Sequence, residues 1–250
     1  MGKNRWKDAQ GAEKKYWGKY TPELVKYQKG WFFGELTLSQ GFGLQNLSVF
    51  LGKTVVEIGC GPCGFISIVG GHKIGLDPLI DFFQGNGLLA PKDSETNYIK
   101  SVGEAIPISN EKADIVICYN VLNHVKNPLS VLQEINRILK IGGLFIFQVN
   151  AYSWLHNIMK NAKEKIGRGD EAHPFSFTSV GIRKLLRQNG FDIVRGSIRI
   201  PINGEDARGR FKRKRTLLFG VAGNLILNFL PFDPFGFSEF KALCRKQAQI

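Results

Sequence analysis

The stretch Glu57-Ile58-Gly59-Cys60-Gly61-Pro62-Cys63-Gly64-Phe65 carries residues for two different chemistries. Cys60 and Cys63 form a Cys-x-x-Cys pair. At a helix N-terminus that spacing suits dithiol exchange, because the helix dipole lowers the thiol pKa. Gly59, Gly61 and Gly64 also spell G-x-G-x-x-G. Glycines at 59 and 61 would let a nucleoside ligand approach the backbone where a Cβ would clash. A helix after them would offer free N–H groups to an anion, and Pro62 could begin it without losing a needed donor. Asp77 follows Gly59 by 18 positions, close to the spacing of an acid that accepts from both ribose hydroxyls.

The dithiol reading finds little support around it. Gly59 precedes Cys60, where thioredoxins normally have Trp, and no cis-proline strand is evident downstream. Gly64 has no use in such a motif. The bland reading of both thiols, small residues filling a tight turn, is the stronger one. The spacing therefore favours a nucleoside ligand without saying which.

These residues need elements to hold them. Thr54-Val-Val-Glu-Ile-Gly59 is a short apolar run ending in glycine, which reads as a buried parallel strand. His72–Asp77, Ala113–Asn120 and Leu144–Asn150 read the same way. Between the last two, Leu129, Val131, Leu132, Ile135, Ile138 and Leu139 recur at helical spacing, and Gly142-Gly143 is expected to end that helix. A further helix is predicted from Thr178 or Ser179 to Asn189-Gly190, then a strand from Phe191, and a last strand over 240–246. Strands alternating with helices imply a mostly parallel sheet with right-handed crossovers. Before it, residues 1–50 are basic and aromatic, and form an expected N-terminal helical cap. Thr21-Pro22-Glu23 is a helix start, and the spacing of Trp17, Leu24 and Tyr27 suggests an amphipathic face. Residues 51–250 form one α/β domain in this reading, with a late insertion at about 196–236.

The ordered set of segments resembles class I S-adenosylmethionine (SAM)-dependent methyltransferases, of the small-molecule, type 11-like kind. It is carried by VVEIGCGPCG, GLDPL, then SVGEAIPISNEKADIVICYNVLNHVKNPLSVLQEINRILKIGGLFIFQVN, and FSFTSVGIRKLLRQNGFDIV, over residues 53–196. The resemblance implies a Rossmann-like, doubly wound, seven-stranded sheet with an antiparallel last strand. It implies SAM as cofactor. Gly59, Cys60 and Gly61 would line the methionine moiety, Glu57 would orient their turn or hold the ammonium through water, and Asp77, followed by Pro78, would bind the ribose. Glu104 and Ala105 would flank the adenine, and Asn120 would contribute backbone near the methionine tail. One departure stands out: where the family commonly has an acid two residues before Glu104, this chain has Val102.

Outside the cofactor residues, His124 is the candidate general base, since imidazole titrates near neutrality. The N-terminal aromatic segment and residues 150–235 are expected to form the acceptor pocket, with Tyr152 and His173 as candidates within it. Asp114 reads as structural, pinning neighbouring backbone. Methyl transfer asks mainly for alignment, so a base matters only for a protonated acceptor.

Lys and Arg number 34 against 21 Asp and Glu, a formal charge of +13, which favours anionic partners. Six positive residues lie between Arg208 and Arg215, just before an apolar segment at 216–232. Basic residues beside an apolar helix can hold a protein to an anionic membrane. No RNA-binding module is recognisable, so nucleic acid is disfavoured. The first residues have no apolar signal region, no run is long enough to span a membrane, and four cysteines make no secreted disulfide framework. A reduced, cytoplasmic protein is expected, with peripheral membrane contact as an addition. The leading reading is methyl transfer from SAM to a small-molecule or lipid-linked acceptor. The rival is a catalytically silent module of the same fold, binding anionic membrane or nucleic acid through its basic face.

Overall fold

The computed structural model describes residues 5–38, 42–44, 46–89, 95–153, 158, 174–199 and 237–248. Seven strands form one sheet: β1 (Thr54–Ile58), β2 (His72–Asp77), β3 (Thr96–Lys100), β4 (Ala113–Tyr119), β5 (Leu139–Tyr152), β6 (Phe191–Arg199) and β7 (Phe237–Lys246). Their order is β3-β2-β1-β4-β5-β7-β6. The first five pair in parallel, and β7 runs antiparallel between β5 and β6. The chain builds outward from β1 to β3 and then crosses back to β4. The strand order therefore reverses between β1 and β4, and a crevice opens above their carboxyl ends.

Both faces of the sheet are covered, which is why its central strands read as continuous apolar runs. Successive side chains point to opposite faces. Val56, Ile58, Val116 and Cys118 join one core with the helix α4 (Pro128–Ile138). Val55, Ile115, Ile117 and Ile146 join the other, with Phe50, Phe65 and Val25. Helix α4 starts as its sequence demands: the Asn127 side chain accepts from the N–H groups of Leu129 and Ser130, and Pro128 takes the first helical position. Its buried face is Val131, Leu132, Ile135 and Ile138, while Leu129 is half exposed.

The remaining helices are α1 (Arg5–Trp17), α2 (Pro22–Thr37), α3 (Ile80–Gly85) and α5 (Ser179–Gln188). Thr21 caps α2 and Thr178 caps α5, both as expected. Three expectations are corrected. First, α4 stops at Ile138, and Leu139 already pairs with Ala113 in the sheet. A buried residue at a strand start satisfies the helical period as well as one more helical turn would. Second, β3 is absent from the sequence reading, because an edge strand with Thr96 as its one buried residue leaves no apolar run. Third, residues 65–67 form a single 3-10 turn rather than a helix. The strand expected from Phe191 is β6, and the expected insertion beyond it, with its basic run and apolar segment, lies outside the described residues. No helix among the described residues is long and apolar enough to cross a membrane.

Candidate active site

Glu57 organises the glycine turn from beneath. It alternates with Val56 and Ile58, so it points to the opposite face from those two, and it is 2% exposed. Its carboxylate accepts from Phe65 N at 3.1 Å and Ile66 N at 2.7 Å. A Cβ on Gly64 would lie 2.4 Å from Glu57 Oε2 and 2.5 Å from the Cys60 carbonyl. The third glycine is thus required by the packing of the turn on this acid. Burial pushes the Glu57 carboxyl up to about 8 against the pull of its two N–H donors, and Asp77 adds to the rise.

Asp77, at the end of β2, closes the turn from the other side. Its Oδ2 accepts from Gly61 N at 3.0 Å, and its Oδ1 from Leu79 N at 2.8 Å. Burial raises its pKa to about 6, opposed by the N–H groups of Leu79 and Gly61 and assisted by the charge of Glu13. The N–H groups of Gly59 and Cys60 both donate to the Leu76 carbonyl. Every N–H group of 59, 60, 61, 65 and 66 therefore already has a protein acceptor. Most of the donors expected to serve an anion are taken within the turn. A dinucleotide pyrophosphate needs such donors at a helix N-terminus. This turn suits a nucleoside ligand without phosphate.

The thiols are inert by the same geometry. Cys60 and Cys63 are free and buried. Burial holds the Cys60 thiol well above its ordinary range and pushes Cys63 up to about 12. Cys63 donates to Gln28 Oε1 at 3.0 Å. A redox thiol needs the opposite environment.

Above the turn lies a cavity of about 1470 Å³. Glu57, Gly59, Cys60, Gly61, Asp77 and Pro78 line it from β1 and β2. Ser101, Val102, Gly103 and Glu104 line it after β3, and Asn120, Val121 and His124 after β4. Ala105 is exposed and stands off this wall. Glu104 also anchors the loop into α4, where its Oε1 accepts from Lys126 N at 2.6 Å and Asn127 N at 3.1 Å. Asn120 adopts a left-handed backbone, φ 57°, rare for a residue with a Cβ. Its Oδ1 is buried with no hydrogen-bond partner among the described residues.

The roof comes from α1 and α2, the aromatic segment expected to help form the acceptor pocket. Trp17 lies 3.4 Å from where a Gly61 Cβ would stand, and its Nε1 donates to Glu13 Oε2 at 3.0 Å. Glu13 Oε1 is 3.4 Å from His124 Nδ1, a contact across the crevice that becomes an ion pair when the imidazole is protonated. Leu24 and Tyr27 are exposed to solvent yet line the cavity, so the stripe read as an amphipathic packing face is a cavity wall. The aromatic clustering of residues 6–31 was the available signal. Tyr152 does not line the cavity: its N–H donates to the Phe177 carbonyl, and it pairs with Phe237 at the strand end. His173 lies outside the described residues. Asp114 pins Thr54 N at 2.9 Å and pairs with Lys140.

A family model described as a methyltransferase domain matches residues 42–195. The chain belongs to this methyltransferase family, and its sheet is that of the class I SAM-dependent fold. It is 31% identical over 106 residues to an uncharacterized methyltransferase of Mycobacteroides abscessus, covering 40% of this chain and 41% of that protein. It is 32% identical over 117 residues to the ubiquinone biosynthesis O-methyltransferase of Glaesserella parasuis, covering 40% and 46%. The chain spans less than half the length of these two curated relatives. The geranyl diphosphate C-methyltransferase of Streptomyces coelicolor, solved with Mg2+, geranyl diphosphate and S-adenosylhomocysteine, shares the fold at a TM-score of 0.55. Identity there is 12%, with 90% of this chain and 80% of that one covered.

Proposed function

We propose that this protein transfers a methyl group from SAM to a small-molecule acceptor. The observation that carries the reading is the glycine turn: it closes on Glu57 and Asp77, uses the N–H groups of 59, 60, 61, 65 and 66 internally, and floors a cavity at the strand-order reversal. SAM fits the residues present. Asp77 keeps lone pairs toward the cavity for the ribose hydroxyls, Ser101 to Glu104 flank the adenine, and Gly59, Gly61 and Asn120 border the methionine portion. The bound cofactor supplies a methyl carbon made electrophilic by its sulfonium.

The chain's own part is placement and shielding. Trp17 closes the turn from above, so α1 keeps water from the cofactor side. His124, paired with Glu13, can take the proton that a hydroxyl acceptor gives up. The O-methyltransferase relative favours oxygen as the accepting atom.

Calorimetric titration with S-adenosylhomocysteine, with NAD as control, tests the reading. The expected result is binding of the first alone, weakened more than tenfold in Asp77→Ala. Salt-sensitive binding to anionic vesicles, with no response to S-adenosylhomocysteine and indifference to Asp77, would favour the silent module instead.

A further inference from the structure

The face of the sheet beneath α2 changes character partway along its strands. Ile115 and Ile117 on β4, Leu144 and Ile146 on β5, and Leu243 on β7 belong to the apolar core. The next positions on that same face are Tyr119, Gln148, Asn150, Lys241 and Glu239. Cross-strand register brings them together: Tyr119 faces Gln148, Gln148 faces Lys241, and Asn150 faces Glu239. Gln148, Lys241 and Glu239 are each 1% exposed. Burying such groups is costly unless they are paired, so a polar block where the core should continue calls for a reason.

Part of the block is internally satisfied. Lys241 contacts Glu35 of α2 and lies 3.3 Å from Glu239 Oε2, and Tyr119 donates to Glu35 Oε2 at 3.1 Å. Gln148 Nε2 donates to Asn150 Oδ1 at 3.3 Å, which turns the amide oxygen the other way. That oxygen is buried and has no hydrogen-bond partner among the described residues. Tyr119, Gln148, Asn150 and Glu239 all line the large cavity. They stand beyond Asn120, on the side away from Asp77. Adjacent strands lie about 5 Å apart, so Gln148 is one strand removed from the β4 end. A cavity of about 1470 Å³ exceeds what one cofactor needs.

We infer that the Gln148–Glu239 wall is the acceptor subsite and that it takes a small molecule with an N–H or O–H donor head on an apolar body. The wall offers an amide oxygen and a carboxylate, both acceptors. The aromatic side chains Trp31, Phe32 and Tyr20 line the same cavity and cover the apolar body. An acidic head is excluded, because its lone pairs would meet those of Gln148 and Glu239. This subsite rests on the methyltransferase reading, which orients the cavity.

The test uses the full chain saturated with S-adenosylhomocysteine and titrated calorimetrically with 2-phenylethylamine, 2-phenylethanol and 3-phenylpropionate. At least one of the first two binds at least tenfold more tightly than the acid; the amine leads if the carboxylate dominates recognition, the alcohol if the amide does. Gln148→Leu reduces that affinity at least fivefold and leaves S-adenosylhomocysteine affinity within twofold. Glu239→Gln, which keeps the side-chain volume, serves if the first variant does not fold, and must show the same split. Equal binding of the acid, no binding of any probe, or indifference to both variants overturns the subsite. Failure of S-adenosylhomocysteine to bind is a separate result that counts against the cofactor reading; the donor preference is then read on the ligand-free protein.

Discussion

At the residue scale, Asp77 carries the sharpest consequence. Its carboxylate already holds two backbone N–H groups, and burial lifts its pKa to about 6. Only the ionised form keeps every oxygen lone pair available to ribose hydroxyls. S-adenosylhomocysteine affinity is therefore expected to be flat above about pH 7 and to fall toward tenfold per unit as pH drops below about 6. Asp77→Asn should remove that slope and be weaker at every pH; a slope that persists in the variant would assign it elsewhere. Glu57 behaves differently because it touches turn backbone. Its folded pKa, about 8, lies above its ordinary value of 4.5. The folded state thus holds the proton more tightly, and this contribution to stability is present below about pH 4.5 and lost as pH rises toward about 8. The melting temperature should fall across that window, with a shallower fall in Glu57→Gln. The sequence already marked Glu57 and Asp77, since an acid at each strand end beside a glycine turn is a local pattern. It did not reveal that most of the turn's N–H groups are taken, because the partners Leu76 and Glu57 are set by how the turn folds back.

At the element scale, α4 is legible from its own residues. Asn127, Pro128 and the 131, 132, 135, 138 spacing determine its start and its buried face. Asn127→Ala removes a side-chain cap from two N–H groups and should cost about 1 kcal/mol in chemical denaturation, with S-adenosylhomocysteine binding little changed. Its end was not legible, since Leu139 fits either a helical stripe or a buried strand start. Helices α1 and α2 show the opposite limit. Their aromatic content announced a cap, yet which side chains face the cavity depends on where the helices land. Trp17 closes over Gly61, and Tyr27, which the pattern made a packing residue, is 82% exposed at the cavity's edge.

Across the whole molecule, the sheet is a single packed object with strands from both halves of the chain. Phe147 shows how tightly it is joined: it is fully buried on β5, beside Phe145 and Phe240. Phe147→Ala should destabilise the fold by about 3–5 kcal/mol in denaturant titration, because the surrounding side chains cannot collapse into the space. The sequence by itself determined the fold class, the strand–helix alternation and the glycine turn with its two acids. Those signals are local: apolar runs, helical periods, caps and short spacings. It could not determine that Glu13 meets His124, that Lys241 is buried against Glu35, or that Gln148 stands with Glu239. Such contacts join residues roughly 90 to 200 positions apart, and no periodicity links them. Strand register and helix docking bring them together, and those are decided when the tertiary structure closes over the cavity.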